Sequence, residues 1–297
     1  MTRKRMVGWM TGWACALIGL ALLIPGLVVQ RIIDAEPTPP PGQEEAVQPL
    51  PAGEGIVIPV LLSGTGKIER VSLETYVRGV VAAEMPIDFE LEALKAQAIA
   101  ARTYILRRMQ IGDYSDIGVE GAVVSDTAKH QAYLSERELQ RKWPWFLRGR
   151  YMNKLNRAIR ETEGLVLTYQ GELIQASYFS TSNGYTEDSE AYWQNAIPYL
   201  RSVPSPWDEQ SPKYKASKTF ALEDLKTKLE LPASLGESEL AQVSVLERTA
   251  GQRVKSVRIG GKVFTGREVR ERLGLASSHF DWKWKDGKVE ITTYGYG

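Results

Sequence analysis

Sulfur and imidazole are scarce in this chain. Among its 297 residues there is one cysteine, Cys15, and there are two histidines, His130 and His279. A single cysteine excludes an internal disulfide and any cysteine-based zinc site. No metal and no organic cofactor is expected. An excess of charge of one sign is also missing: 37 Lys and Arg stand against 36 Asp and Glu, a formal net charge of +1. Nucleic-acid binding normally leaves a basic stripe, so nucleic acid is not an expected partner. The short cluster Arg267, Arg270 and Arg272 alternates with Glu268 and Glu271, which suits an exposed helix face. What is present is a 43% hydrophobic content over a length that can bury a substantial core.

The N-terminus is built differently from the rest. Arg3, Lys4 and Arg5 precede an uncharged run from Val7 to Val29. Crossing a bilayer takes roughly 20 apolar residues, and a signal-peptide core has about 7–15. No convincing small-residue cleavage site follows the run. Residues 1–33 therefore read as a cytoplasmic tip and a transmembrane anchor, with the basic side retained inside. A cleaved signal peptide is the alternative, and both readings put the remainder outside the cytoplasm. Cys15 lies within the run behind Gly12-Trp13-Ala14, a poor match to a lipidation site. Residues 34–55, rich in Pro, Gly and Glu, read as an extended linker. The folded, extracytoplasmic domain is expected over 56–297.

That domain is organised around Val71–Met109, which reads as two helices with a break between them. Ser72 is a plausible N-cap, and Tyr76, Val77, Val80 and Val81 recur at helical spacing. Pro86 disfavours helical geometry at Met85, so the first helix should end near Glu84. Asp88 or a neighbour would cap the second helix, whose alanines permit close approach by another backbone or a ligand. Glu84 stands among Val80, Val81, Ala82, Ala83, Met85 and Phe89. A carboxylate in apolar company tends to keep its proton, as a general acid must. A solvent-facing Glu at a helix end is the plainer alternative.

The run Ala82-Ala83-Glu84-Met85-Pro86, then Leu94-Lys95-Ala96-Gln97-Ala98 and Ala101-Arg102-Thr103-Tyr104, resembles the signature of the stage II sporulation protein D family. The resemblance continues through Ser125-Asp126-Thr127 and His130-Gln131-Ala132-Tyr133. It implies a lytic transglycosylase that cuts peptidoglycan glycan strands between N-acetylmuramic acid and N-acetylglucosamine, with Glu84 at the position of the catalytic glutamate. It further implies a preference for peptide-free glycans, wall remodelling during spore engulfment, and work beside a cell-wall amidase and a membrane partner. Some relatives add cysteines after the histidine to make a metal site; this sequence has none there. Lys95, Gln97, Arg102 and Tyr104 fall within the helical signature, with Lys95 and Arg102 on one helix face. They are candidates for holding glycan or for steadying the fold around Glu84. Asp126, His130 and Gln131 are candidate pocket residues, although a lone histidine is more often structural.

Downstream, IVIPVLL ahead of this region and Val123-Val124 after it read as strands, Tyr151–Gly164 as an amphipathic helix, and Leu165–Ala176 as a hairpin. The hairpin runs into Ser177-Tyr178-Phe179-Ser180-Thr181-Ser182-Asn183-Gly184-Tyr185-Thr186. Its hydroxyls and amide, on Ser177, Ser180, Thr181, Ser182, Asn183 and Thr186, suit a polar ligand such as a sugar chain, or simply cap a strand. Tyr192 and Trp193 are equally readable as sugar platforms or core. Residues 215–284 read as a small inserted α+β subdomain, so the fold class is α+β. The resemblance implies a Gly-His-Gly element, a Met-Ser-Gln segment and a further helix beyond Tyr294-Gly295-Tyr296-Gly297. None appears in this sequence. The rival function is a non-catalytic glycan-binding module that stimulates a cell-wall amidase.

Overall fold

Ser72 closes a strand and opens a helix, and the first core forms around that change of direction. The computed structural model describes residues 48, 49, 55–193 and 195–296. The expected anchor lies outside the described residues, as does the linker apart from Gln48, Pro49 and Gly55. Among the described residues no helix is long and apolar enough to cross a membrane.

Strand β1 (Val57–Leu62) pairs antiparallel with β2 (Lys67–Ser72) and parallel with the two-residue β3 (Val124–Ser125). Helix α1 (Leu73–Glu84) follows β2 at once, and the Ser72 hydroxyl accepts from the Thr75 N–H at 3.4 Å. It ends where expected: Met85 is extended, as the residue before a proline should be. Helix α2 (Leu91–Ile111) starts behind Glu90, which makes no side-chain cap bond, and stops at Gly112 with φ 72°. Two more helices follow, α3 (Glu136–Lys142) and α4 (Trp145–Arg160). The helix expected from Tyr151 thus starts six residues earlier, behind Pro144, and ends at Arg160, with a separate turn reaching Gly164. Helices α1, α2 and α4 pack together. The alanines of α2 explain the fit, because Ala98 and Ala101 are fully buried beside Val77, Val80, Val81 and Leu155.

Gly79 marks the closest approach in this core. A Cβ there would lie 2.4 Å from the Tyr133 ring and 2.6 Å from the carbonyl oxygen of Leu134. The loop cannot retreat freely, because the Leu134 N–H donates to the Gly79 carbonyl and Tyr133 stacks on Tyr76 at 5.5 Å. Gly79→Ala is expected to cost roughly 1–3 kcal/mol, as overpacking does. Chemical denaturation measures it, and a midpoint equal to the wild type would show that the loop yields.

Short pieces β4 (Leu165–Val166), β5 (Thr168–Tyr169), β6 (Glu172–Leu173) and α5 (Ser189–Tyr192) lead to the second core. There β7 (Lys215–Ala221) leads into α6 (Leu222–Leu229), and a short α7 (Glu237–Ala241) precedes β8 (Val243–Arg248). Strands β8, β9 (Val254–Ile259) and β10 (Lys262–Thr265) form one sheet in the order β10-β9-β8. Helix α8 (Gly266–Leu273) starts from a Thr265–Glu268 capping box. Strands β11 (Phe280–Lys285) and β12 (Lys288–Tyr294) complete the second sheet, ordered β11-β12-β7. Because β12 pairs along all of β7, from Lys288 against Ala221 to Tyr294 against Lys215, this unit extends past residue 284 to 294. Leu225, Leu229, Val257, Val269, Val289 and Ile291 form its fully buried centre.

Candidate active site

Glu84 is the last residue of α1, held at the edge of the first core by the break that Pro86 imposes. Its neighbours in sequence do not surround it. Val80, Val81 and Ala82 are buried in the core, and Phe89 is turned out to solvent. The carboxylate is half-buried, and its company comes from two distant segments. The N–H of Ala132 donates to Glu84 Oε1 at 2.8 Å, which fixes the side chain and occupies one oxygen only.

The second segment brings Tyr178. Burial, and next the charge of Glu84, push its phenol well above the ordinary tyrosine range. It therefore stays protonated at neutral pH and is a hydrogen-bond donor beside a carboxylate. Gln131 orients it. The buried Gln131 amide accepts from the Tyr76 hydroxyl at 3.2 Å and donates to the Tyr178 hydroxyl at 3.4 Å. Gln97, on α2, also lies against the Tyr178 phenol. Its side chain is 9% exposed, and its Nε2 has no hydrogen-bond partner among the described residues. With Gln131, Gln97 braces the phenol beside Glu84. Glu84, Gln97 and Gln131 lie together around Tyr178. Tyr178 sits inside the hydroxyl-rich run, but a phenol is easily read as an aromatic rather than as a hydroxyl. Its 37% exposure leaves the site open to solvent on that side.

The other anticipated residues are engaged elsewhere. The Lys95 ammonium is 2.7 Å from both Glu92 and Glu161. Arg102 is fully buried, forked onto both oxygens of Glu74 at 2.8 and 2.6 Å, with a third bond to the Leu165 carbonyl at 3.0 Å. No donor of that fork faces a ligand, so Arg102 steadies the fold. Tyr104 is partly buried against the first core. Asp126 accepts from the Ser63 N–H at 3.0 Å and fixes its own loop. His130 is structural as well. Its Nδ1 accepts from the Ser125 N–H at 3.2 Å, so Nε2 carries the proton and donates to Asp116 at 2.9 Å. Burial holds the imidazole below the ordinary histidine range, while Arg108, then His130, hold the Asp116 carboxyl down to about 2. No group of metal-ligating side chains is assembled among the described residues.

The hydroxyl-rich run divides in two. Ser177 and Ser180 are exposed on either side of Tyr178. Thr181, Ser182 and Asn183 are buried and bind the protein itself. Thr181 exchanges backbone bonds with Tyr296 at 3.1 and 2.8 Å. The Ser182 N–H donates to Asp208 at 2.7 Å, and the Thr186 hydroxyl to the Arg201 carbonyl at 2.7 Å. Asn183 Nδ2 donates to the Gly251 carbonyl at 2.8 Å and to His279 Nδ1 at 2.7 Å. Ser182 and Thr186 thus bind within residues 182–208, while Asn183 ties the run to Gly251 and His279 beside the second core. Tyr192 and Trp193 are exposed, with Arg267 over the Tyr192 ring at 4.9 Å.

The burial of His279 makes stability sensitive to acid. Burial, reinforced by Arg248, lowers the His279 imidazole to about 4. In the unfolded chain it titrates near the ordinary value of about 6.5. As pH falls between those values the unfolded chain takes up a proton that the folded chain refuses. The stabilisation is complete above about pH 6.5 and is lost toward pH 4, amounting to at most about 3 kcal/mol. Melting temperature against pH should therefore fall less steeply over that window in His279→Gln than in the wild type. Parallel curves would remove His279 from the account.

Comparison with known proteins gives this arrangement a context. Residues 62–169 match the model of a family described as "Stage II sporulation protein". That span contains Glu84, Gln97 and Gln131 but stops short of Tyr178. The chain is 42% identical over 294 residues to the stage II sporulation protein D of Bacillus subtilis (strain 168), covering 95% of this chain and 83% of that protein. It is 44% identical over 242 residues to the protein of the same name from Bacillus amyloliquefaciens, covering 82% and 69%. An "Amidase enhancer" of Bacillus subtilis (strain 168) is 32% identical over 216 residues, which is 67% of this chain and 26% of that protein.

Proposed function

Because the chain belongs to the stage II sporulation protein D family, we propose that it is a peptidoglycan lytic transglycosylase at work in sporulation. The observation that carries this reading is the make-up of the cluster: a single carboxylate, Glu84, beside a protonated phenol and two amides. Ordinary glycosidases use two carboxyl groups, one as acid and one as base or nucleophile. A lytic transglycosylase needs one. Protonated Glu84 gives its proton to the glycosidic oxygen as the bond to C1 of N-acetylmuramic acid breaks. The resulting carboxylate then takes the proton of that sugar's own 6-hydroxyl as O6 closes onto C1. The products are a free N-acetylglucosamine hydroxyl and a 1,6-anhydro ring, and no water is consumed. Holding the 6-hydroxyl in place replaces the second carboxylate.

In this scheme the Ala132 N–H aims Glu84, and the Tyr178 hydroxyl donates toward the carboxylate in its charged state. Gln97 and Gln131 hold the phenol in that position. The N-terminal apolar run holds the enzyme in the cell membrane with residues 56–297 outside, and an amidase that strips peptides from the wall prepares its glycan. Mass spectrometry of soluble products from peptide-free glycan strands tests the reading. Anhydro-muramic ends are expected. Ordinary reducing ends would make the protein a hydrolase, and retention on the wall without products would leave a glycan-binding module.

A further inference from the structure

The net charge of +1 conceals one sharply uneven stretch. Between Glu138 and Glu161 there is no acidic residue, while Arg141, Lys142, Arg148, Arg150, Lys154, Arg157 and Arg160 are all basic. The flanking acids are already committed. Glu136 pairs with Arg78, Glu138 closes the cap of α3, and Glu161 binds Lys95 and Arg157. Arg141, Lys142, Arg148 and Arg150 form no ion pair among the described residues.

The two most exposed apolar side chains of this region stand in the middle of these cations. Trp145 is 81% exposed and Phe146 66% exposed, their rings in edge contact at 5.9 Å. They do not hang on a loose loop. Trp143, two residues before, is buried in the first core and meets Tyr151 edge-on at 5.7 Å. Pro144 then turns the chain into α4. The corner is pinned on its inner side, and its outer side presents two large rings with nothing among the described residues to cover them. Isolated exposed apolar residues are ordinary, but adjacent Trp and Phe flanked along the chain by cations without an ion pair have the composition of a membrane-interface contact.

We propose that the α3–α4 corner binds the surface of an anionic bilayer. Trp145 and Phe146 enter the boundary between headgroups and acyl chains, and Arg141, Lys142, Arg148 and Arg150 bind lipid phosphates. The contact is distinct from any membrane-spanning segment and does not depend on what Glu84 does. Its role is to set the height and tilt of the folded domain over the lipid. Charge complementarity selects the partner: a zwitterionic surface offers the rings a place but gives the cations no net attraction.

The test uses the full chain with Phe146 replaced by the photo-crosslinker p-benzoylphenylalanine. The protein is incorporated into vesicles of phosphatidylcholine alone or with about a third phosphatidylglycerol. Trp207 replaced in the same way is the reference, because it is 75% exposed but followed by Asp208 and Glu209. Lipid adducts at position 146 are expected to exceed those at 207 by at least about tenfold in the anionic vesicles, and to fall when salt is raised. Arg141→Glu combined with Lys142→Glu, both at exposed positions, should bring position 146 down to the reference level without changing the melting temperature. Equal adducts at the two positions, or adducts indifferent to lipid charge, overturn the proposal. So does cross-linking to added cell-wall polymer in place of lipid, which would make the corner a wall-docking site.

Discussion

Glu84→Gln is expected to reduce glycan cleavage by roughly a hundredfold to ten-thousandfold, the range lost when a positioned general acid–base is removed. The fold should not change. Glutamine keeps an oxygen where Oε1 accepts the Ala132 N–H, so the loop from His130 to Leu134 retains its attachment. Tyr178 and Gln131 keep their mutual bond at 3.4 Å. What is lost is the capacity to deliver and then recover a proton at one position. The melting temperature should therefore stay close to the wild type, as a substitution that leaves packing and hydrogen bonds in place changes stability by about 0.5 kcal/mol or less. Binding to insoluble wall should also survive. Turnover retained in Glu84→Gln would sink the single-carboxylate mechanism, whereas turnover lost together with the fold would say nothing about chemistry. Both rates and melting curves are needed from the same preparation.

The second large effect is on stability. Arg102→Met should destabilise the domain by about 3 kcal/mol, at the low end of what breaking a buried ion pair costs, because Glu74 is partly open to water and can rehydrate. In a domain of this size that lowers the melting temperature by roughly 6–12 °C. Arg102 joins three elements at one point: it is carried by α2, forks onto Glu74 of α1, and holds the Leu165 carbonyl of β4. Arg102→Lys should recover little, since one ammonium cannot reproduce the two parallel bonds of the guanidinium. The contrast with a glycan-binding arginine is sharp. A residue of that kind would raise KM at permissive temperature and leave the melting curve alone. Unchanged melting with a raised KM would return Arg102 to the substrate.

Local features of this fold are readable from the chain because their causes are local. The Ser72 cap, the break at Pro86, the Thr265 cap and the strand alternation of β9 and β12 each depend on residues within one turn or one strand. The same holds for the approximate position of Glu84. What the chain does not show locally has a common origin in distance along it. Lys95 and Arg102 share a helix face, but which acids meet that face depends on Glu161 and Glu74, brought up by other helices. Asp126 and His130 lie in a motif that points to a pocket, yet Ser63 and Asp116 had claimed them. Tyr178 reaches Glu84 only after a hairpin and a long return of the chain, and no spacing rule predicts that. The acid-free stretch around Trp145 is legible in the sequence, although the total charge is balanced.

The attachment of Tyr178 has one more consequence. Its phenol is held by Gln131 at 3.4 Å, but three residues later the chain is fastened at Thr181, and by Asn183 it is fixed to Gly251 and His279 beside the second core. Three residues span at most about 10 Å even when fully extended. The tyrosine therefore rides on a short tie rod with its far end bolted to the body of the second core. Anything that loosens that body, whether heat, acid at His279 or a poor fit of β12 against β7, slackens the rod and lets the phenol drift from the carboxylate. Catalytic geometry would then fail at a lower temperature than the helices that carry Glu84.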